Sequence, residues 1–208
     1  MLNLEIPEYS GFKAYPDVVT KLKRYAVVDR VSGISLMPFQ GMSEQVRRSV
    51  EWELDPDISR FELNTGVNWI ALQYHYEQAA ENKDLALFEI ILPDGTPIGN
   101  TELREFDVWN KCAYGGLMLD KSAWGRRIGT RVAELRAARA KQFGIRTLLV
   151  DIHEQNLASW LISEQFPHEK PEPTSRSGYF RFKIHLDQWQ VPSDMQLELQ
   201  PVGEPAGV

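Results

Sequence analysis

Ala123-Trp124-Gly125-Arg126-Arg127-Ile128-Gly129-Thr130 joins an apolar run, Gly115-Gly116-Leu117-Met118-Leu119-Asp120, to an amphipathic segment over residues 131–143. Strand, glycine-containing turn and helix in that order aim backbone N–H groups at one point. The first helical turn leaves about four N–H groups without an intrahelical acceptor, and the macrodipole adds partial positive charge there. A phosphate fits such a turn, and Gly125 and Gly129 let it approach the backbone closely. Arg126 and Arg127 add charge that can be delivered bidentately. The stretch therefore reads as a pyrophosphate-binding turn. Its spacing matches neither G-x-x-x-x-G-K-[ST] nor G-x-G-x-x-G.

Outward from this turn, Val132, Leu135, Ala138 or Arg139, and Phe143 fall on the core face of a helix that begins at Gly129 and ends at Gly144. Residues 147–152 form a buried strand, residues 157–165 a short helix, and residues 178–186 an alternating last strand. Upstream, residues 113–119 form the strand that enters the turn. Before it, residues 85–92 and 98–106 flank Pro93-Asp94-Gly95-Thr96-Pro97, and Asp-Gly between apolar runs predicts a hairpin. Residues 34–39 read as a first strand ending near Pro38. Residues 43–54 form a helix that Ser43 can cap, with Val46, Val50 and Leu54 on one face. Asp55-Pro56-Asp57 stops it. Residues 68–82 are helical, with Trp69, Leu72, Tyr76 and Ala79 or Ala80 in a stripe that serves either the core or a pocket wall. The pattern describes a mixed α/β sheet, not an alternating doubly wound one.

The 208 residues suit one domain with appendages. Residues 1–31 read as an N-terminal extension, residues 32–190 as the domain, and residues 191–208, rich in Pro, Gly, Glu and Gln, as a loose tail. Val18 to Val28 fits either a short helix or a strand. The aromatics Tyr9, Phe12, Tyr15 and Tyr25 of the extension pack either over the sheet or onto a second subunit, which leaves a homodimer open. A net charge of −6 argues against a nucleic-acid partner, which favours a basic face. It still allows a local basic cleft at Arg126, Arg127 and Arg131. No run approaches the roughly 18 apolar residues of a membrane span, and the N-terminus lacks a signal-peptide pattern. A single cysteine, Cys112, excludes an intramolecular disulfide, so the expected location is cytoplasmic. Four scattered histidines, His75, His153, His168 and His185, show no metal spacing, and no metal is expected.

Trp124 to Thr130, the helix after it and Gly144-Ile145-Arg146-Thr147-Leu148 together resemble the acyl-CoA-binding core of the GNAT superfamily of N-acetyltransferases. Asn156-Leu157-Ala158-Ser159-Trp160-Leu161-Ile162-Ser163-Glu164-Gln165-Phe166 resembles that superfamily's N-x-A-S-x-x-V-L-E-K-L-G-F segment. Asp94-Gly95-Thr96-Pro97-Ile98-Gly99 resembles its D-G-x-x-I-G hairpin. Leu36-Met37-Pro38-Phe39 and Trp52-x-x-Asp55-Pro56 resemble the ribosomal-protein N-terminal acetyltransferase branch. The resemblance spans about Ile34 to Leu186 and implies a mostly antiparallel central sheet flanked by helices, acetyl-CoA as donor and a primary amine as acceptor. It implies that coenzyme A is held by the backbone of Leu117, Met118 and Leu119, by Trp124, Gly125, Arg126, Arg127, Ile128, Gly129 and Thr130, and by Asn156 and Ser159. A splay between this strand and the next would put the thioester near Val150 to His153. Asn156 taken alone is equally a helix cap.

Two departures bear on the chemistry. Arg127 stands where the family signature Q/R-x-x-G-x-G/A has its middle glycine, at backbone that suits glycine. Ser163 stands where many members carry a tyrosine that protonates the departing thiolate; serine is a weaker acid. Transfer to an amine requires a neutral nucleophile, a polarised carbonyl and a proton route. Candidate bases are Glu102, Glu105, Asp151, His153 and Glu154. Glu102 and Glu105 point to opposite faces of a regular strand, and Glu102 is preferred. His153 is a candidate because an unperturbed imidazole has a pKa near neutrality, but the plainer and favoured reading is a partly exposed histidine after a strand. Tyr114 either bonds an intermediate or packs. Cys112 lacks a His-Asp or His-Asn partner and is not a nucleophile candidate. The expected reaction is direct attack of the amine on the thioester. The alternatives are a non-catalytic CoA-binding or assembly module, and transfer of a longer acyl group.

Overall fold

A computed structural model describes residues 15–61 and 68–202. Tyr9 and Phe12 lie outside the described residues, as does the side chain of Tyr15. Nine strands form one sheet in the order β7-β8-β6-β5-β4-β3-β2-β1-β9. The strands are β1 Tyr25–Asp29, β2 Ser35–Pro38, β3 Leu85–Ile91, β4 Pro97–Asp107, β5 Cys112–Leu119, β6 Thr147–His153, β7 Glu172–Pro173, β8 Tyr179–His185 and β9 Leu197–Pro201. The helices are α1 Tyr15–Lys23, α2 Ser43–Leu54, α3 Pro56–Ser59, α4 Trp69–Ala79, α5 Ile128–Gln142 and α6 Leu157–Ser163. Among the described residues only the β5–β6 pair is parallel; the other neighbours are antiparallel.

Alternation along the central strands gives the sheet two apolar faces. On one face, Ala86, Phe88, Ile90 and Leu103 meet α1 through Val18, Val19 and Leu22, and α5 through Val132, Leu135 and Ala138. On the other, Leu85 and Leu87 meet Val46 and Val50 of α2 and Leu72, Tyr76 and Ala79 of α4. The alanines of α5, among them Ala133, Ala137 and Ala140, are almost fully buried. Truncating the fully buried Leu135 to alanine would cost about 2–5 kcal/mol.

Described residues on both sides of the expected 32–190 domain also take part in the sheet. Val18 to Val28 spans parts of a helix and a strand in succession, and β9 pairs with β1 over five residues, so residues 25–29 and 197–201 extend the sheet. Asp29 fastens this edge. Its buried carboxylate accepts hydrogen bonds from the Ser32 hydroxyl (2.6 Å), the Gln196 N–H (3.0 Å) and Arg131 Nε (2.8 Å). Burial pushes the Asp29 pKa up, but these bonds outweigh it and hold the group at about 2. Arg131 also donates to Glu134 and to Asp194, so it faces this ion-pair network and not the expected basic cleft.

Three local readings change. Met42 occupies the position before α2 and Ser43 is its first helical residue, with no side-chain cap. Asp55 ends α2 and at once caps α3 by accepting the Asp57 N–H (2.9 Å). Trp69, placed in the α4 stripe, points outward and donates to Gln73.

Candidate active site

The helix entering the site is aimed by contacts at both ends of the preceding turn. Trp52 Nε1 of α2 donates to Asp120 (3.1 Å), and Lys121 pairs with Asp55 and Asp57. Asp120 in turn caps a 3-10 turn, Lys121–Ala123. Gly125 (φ 71°) and Arg127 (φ 60°) both adopt left-handed backbone, which for arginine costs about 1–2 kcal/mol. The sequence places a non-glycine residue where the geometry favours glycine. Arg127 sits at the N-cap of α5 without a side-chain cap bond. The first helical hydrogen bond runs from Arg131 N–H to Arg127 O, so the N–H groups of Ile128, Gly129 and Thr130 precede the ladder.

A cleft of about 350 Å³ lies in front of these groups. Leu117, Met118 and Leu119 form one wall, Trp124, Gly125, Arg127, Gly129 and Thr130 the end, and Asn156, Ser159 and Ile162 the other wall. Trp124 is fixed by its Nε1 bond to Leu119 O (3.0 Å). Of the residues expected around the phosphate, Arg126 is exposed and only grazes Ser122 O (3.5 Å), and Ile128 is buried in the core; neither lines the cleft. Asn156 caps α6 by accepting the Ser159 N–H (3.2 Å) and also lines the cleft, so both of its readings apply.

The cleft runs into an opening through the sheet. β5 and β6 pair at only three positions, ending at Tyr114↔Leu149, while β5 stays paired with β4 as far as Leu119. Past Tyr114 the two parallel strands part, and a cavity of about 110 Å³ fills the gap, lined by Gly115, Gly116, Val150 to His153, Ser159, Ser163 and Glu102. Two glycines in succession let charged side chains reach β5 from opposite faces. A Cβ on Gly115 would lie 3.0 Å from Arg136 Cζ; one on Gly116 would lie 2.8 Å from Glu102 Oε1. The sheet is perforated where a cation and an anion face each other across one strand.

Arg136 joins the site without a sequence motif to mark it. It stands fully inside α5's sheet-facing surface and donates to Gly116 O (2.5 Å). Burial lowers its pKa to about 10, opposed by the Glu102 charge, so it remains cationic at neutrality. Its sequence signal was arginine at the core face of an amphipathic helix, which Arg139 shares. Arg139 is spent on structure, bonding Leu22 O and Tyr25 O and stacking on Phe143.

The candidate catalytic residues separate. Glu102 lines the opening, its carboxylate accepting Arg104 Nε (2.8 Å), whereas Glu105 is exposed and pairs with Arg104. Ser163 is buried at the opening. Asp151 is also there, tied to Arg181 by two hydrogen bonds of 2.7 and 2.8 Å. His153 lines the opening with its ring stacked on Phe61 and edge-on to Tyr179; its Nδ1 accepts the Gln155 N–H (3.2 Å). Tyr114 lines neither the cleft nor the opening. It lies between the guanidinium groups of Arg104 and Arg181, and burial raises its pKa. Cys112 also lies outside the cavities, with its thiol pKa raised by burial and by Asp107. Among the described residues no cluster of three or more His, Cys, Asp or Glu could hold a metal, and no helix is long and apolar enough to cross a membrane.

The acetyltransferase (GNAT) domain family model matches residues 38–166, which carry both the turn and the opening. No curated protein matches in sequence. Several solved structures share the fold. Spermidine N-acetyltransferase from Vibrio cholerae in complex with CoA and spermine is 13% identical with a TM-score of 0.65, over 74% of this chain and 96% of that one. A GNAT-family acetyltransferase from Bacillus anthracis is 10% identical with a TM-score of 0.64, over 78% and 99%. A domain from Methanocaldococcus jannaschii is 17% identical with a TM-score of 0.60, over 72% and 97%. At these identities the likeness is one of fold.

Proposed function

We propose that this chain, which belongs to the GNAT acetyltransferase family, transfers an acetyl group from acetyl-CoA to a primary amine by direct attack. The observation that carries the reading is the parting of β5 and β6 beyond Tyr114, which joins the helix-end cleft to a hole bordered by Glu102. The residues fit coenzyme A. The N–H groups at the start of α5, with Gly125 leaving open space beside them, suit a pyrophosphate. The exposed edge of β5 at Leu117 to Leu119 suits the amide-bearing arm. When bound, acetyl-CoA supplies an activated thioester carbonyl with a thiolate as leaving group.

The protein's own part is positional and protonic. An ammonium has no free pair, so its first proton passes to the Glu102 carboxylate, directly or through one water. As the N–C bond forms and the C–S bond breaks, the second nitrogen proton would pass by way of the Ser163 hydroxyl to the departing thiolate, and Glu102 would release the first to solvent. Arg136 pins the Gly116 carbonyl and keeps the strand edge in place. His153, with Nδ1 already accepting a bond and its ring boxed by Phe61 and Tyr179, serves as wall and not as base. Cys112, away from the cavities, takes no part, which favours direct transfer over an acyl-enzyme.

Thiol release from acetyl-CoA across a panel of primary amines tests the reading. Turnover with at least one amine, reduced about 100-fold or more in kcat by Glu102→Gln, supports it. Binding of CoA without turnover on any amine would favour the non-catalytic module, and faster turnover with longer acyl-CoA thioesters would revise the donor. The ribosomal-protein branch enters only as one acceptor class, a peptide N-terminus, within the panel.

A further inference from the structure

A second cavity of about 110 Å³ lies across β5 from the cleft, between the sheet and helices α2 and α4. It shares Glu102, Gly116 and Leu117 with the opening through the sheet, so an acceptor lying in it reaches the reaction point past Gly116. Its polar lining decides what it takes. Asn100 is 4% exposed, and its Nδ2 donates to Ser49 Oγ (2.8 Å). The Ser49 hydroxyl has one proton and gives it to Gln45 O (2.8 Å), so toward Asn100 it can only accept. That fixes the amide orientation, and Asn100 Oδ1 is left as a buried acceptor without a donor among the described residues.

The neighbouring groups are acceptors as well. Glu53 presents a carboxylate that takes the Tyr76 hydroxyl proton (2.7 Å), and Glu102 presents another at the mouth. The Thr101 hydroxyl is turned to Gly116 O (2.8 Å). Among the described residues no lysine or arginine lines the cavity, and the Tyr76 and Thr101 hydroxyls and the Asn100 amide already direct donors to Glu53, Gly116 O and Ser49, which leaves the His75 ring as a further donor or acceptor. A lining so rich in acceptors and poor in donors suits a ligand rich in N–H.

We propose that this cavity seats a second, protonated nitrogen of the acceptor, and that the substrate class is a short aliphatic diamine or polyamine. One nitrogen is acetylated beside Glu102; the other is held by Asn100 Oδ1 and the Glu53 carboxylate. The inference rests on the acetyltransferase reading above. A peptide N-terminus fits less well, because the carbon next to its amine carries a carbonyl that would bring one more acceptor to a cavity already short of donors.

The test compares 1,4-diaminobutane, n-butylamine and a tetrapeptide N-terminus as acceptors for the full chain with acetyl-CoA. The expected kcat/KM for the diamine exceeds that for butylamine and for the peptide by about tenfold or more. Asn100→Leu and, separately, Glu53→Gln bring the diamine-to-butylamine ratio toward one while leaving the KM for acetyl-CoA unchanged. Glu53→Gln keeps the shape of the side chain and decides the matter if Asn100→Leu folds poorly. Equal or better use of butylamine or the peptide, or a ratio that survives both substitutions, overturns the proposal. If no amine is turned over, the acetyltransferase reading fails instead. Calorimetric titration of diaminobutane then still decides the cavity: saturable binding weakened by Glu53→Gln sustains it, and no binding refutes it.

Discussion

Asp29→Asn tests how far the chain's two ends belong to the domain that carries the site. The native carboxylate is fully buried and accepts from Ser32, Gln196 and Arg131, which hold its pKa at about 2 against an ordinary 3.8. A group depressed in the folded state contributes stability above its unfolded pKa and loses it as pH falls through the folded value. Here that is about 2 kcal/mol, present above roughly pH 5 and gone near pH 2. The amide removes the charge opposite Arg131 and turns an NH₂ toward groups that are themselves donors. Breaking a buried pair in this way costs about 3–5 kcal/mol. For a chain of this length each kcal/mol lowers Tm by about 2–4 °C, so the expected fall is at least about 6 °C at pH 7. Thermal unfolding at pH 7 and at about pH 2.5 is the assay, and the gap between native and variant should shrink at the lower pH, where most of the carboxylate's contribution is lost. A fall under about 2 °C, or a gap independent of pH, would refute the reasoning.

Two further outcomes follow from the same structure. Arg127→Gly relieves left-handed backbone strain of about 1–2 kcal/mol but adds about 0.5–1 kcal/mol of unfolded-chain entropy. Urea midpoints within about 1 kcal/mol of native are therefore expected, with CoA affinity changed less than about fivefold, because the exposed guanidinium contributes little; a large loss of affinity would show that the side chain, not the backbone, holds the phosphate. Deleting residues 191–208 removes β9 and the Gln196 and Asp194 contacts, uncovering the β1 edge. It should lower Tm and promote association on gel filtration, whereas an unchanged monomer would restore the reading of a loose tail.

What the sequence disclosed depended on how local the cause was. Gly125, Gly129 and the run before them specify a strand, turn and helix within about 25 residues, and the Asp94-Gly95 hairpin is equally local. Arg131 was misplaced because its partners, Asp29 and Asp194, lie 102 and 63 residues away in the chain. The β1–β9 edge is likewise a pairing of two distant segments, and the short β9 run carries no pattern of its own. Tyr114 lies two residues short of Gly116, on the stretch where β5 still pairs with β6, and where that pairing ends is set by contacts that the local sequence does not carry. Arg136 shows the opposite case: the polar residue on an apolar helix face was visible, but only the double glycine across from it reveals where it points.

The central claim is that the cleft at the start of α5 binds coenzyme A through its backbone. Isothermal titration of CoA into the native chain and into Gly125→Asp tests it most directly. Gly125 has no atom within 4 Å of where a side chain would begin, and aspartate tolerates its left-handed backbone, so the variant should fold while placing a negative charge in the cradle. The account predicts saturable one-to-one binding by the native chain and affinity about tenfold or more lower in the variant. Absence of binding by the folded native chain at millimolar CoA, or equal affinity in both, would contradict it.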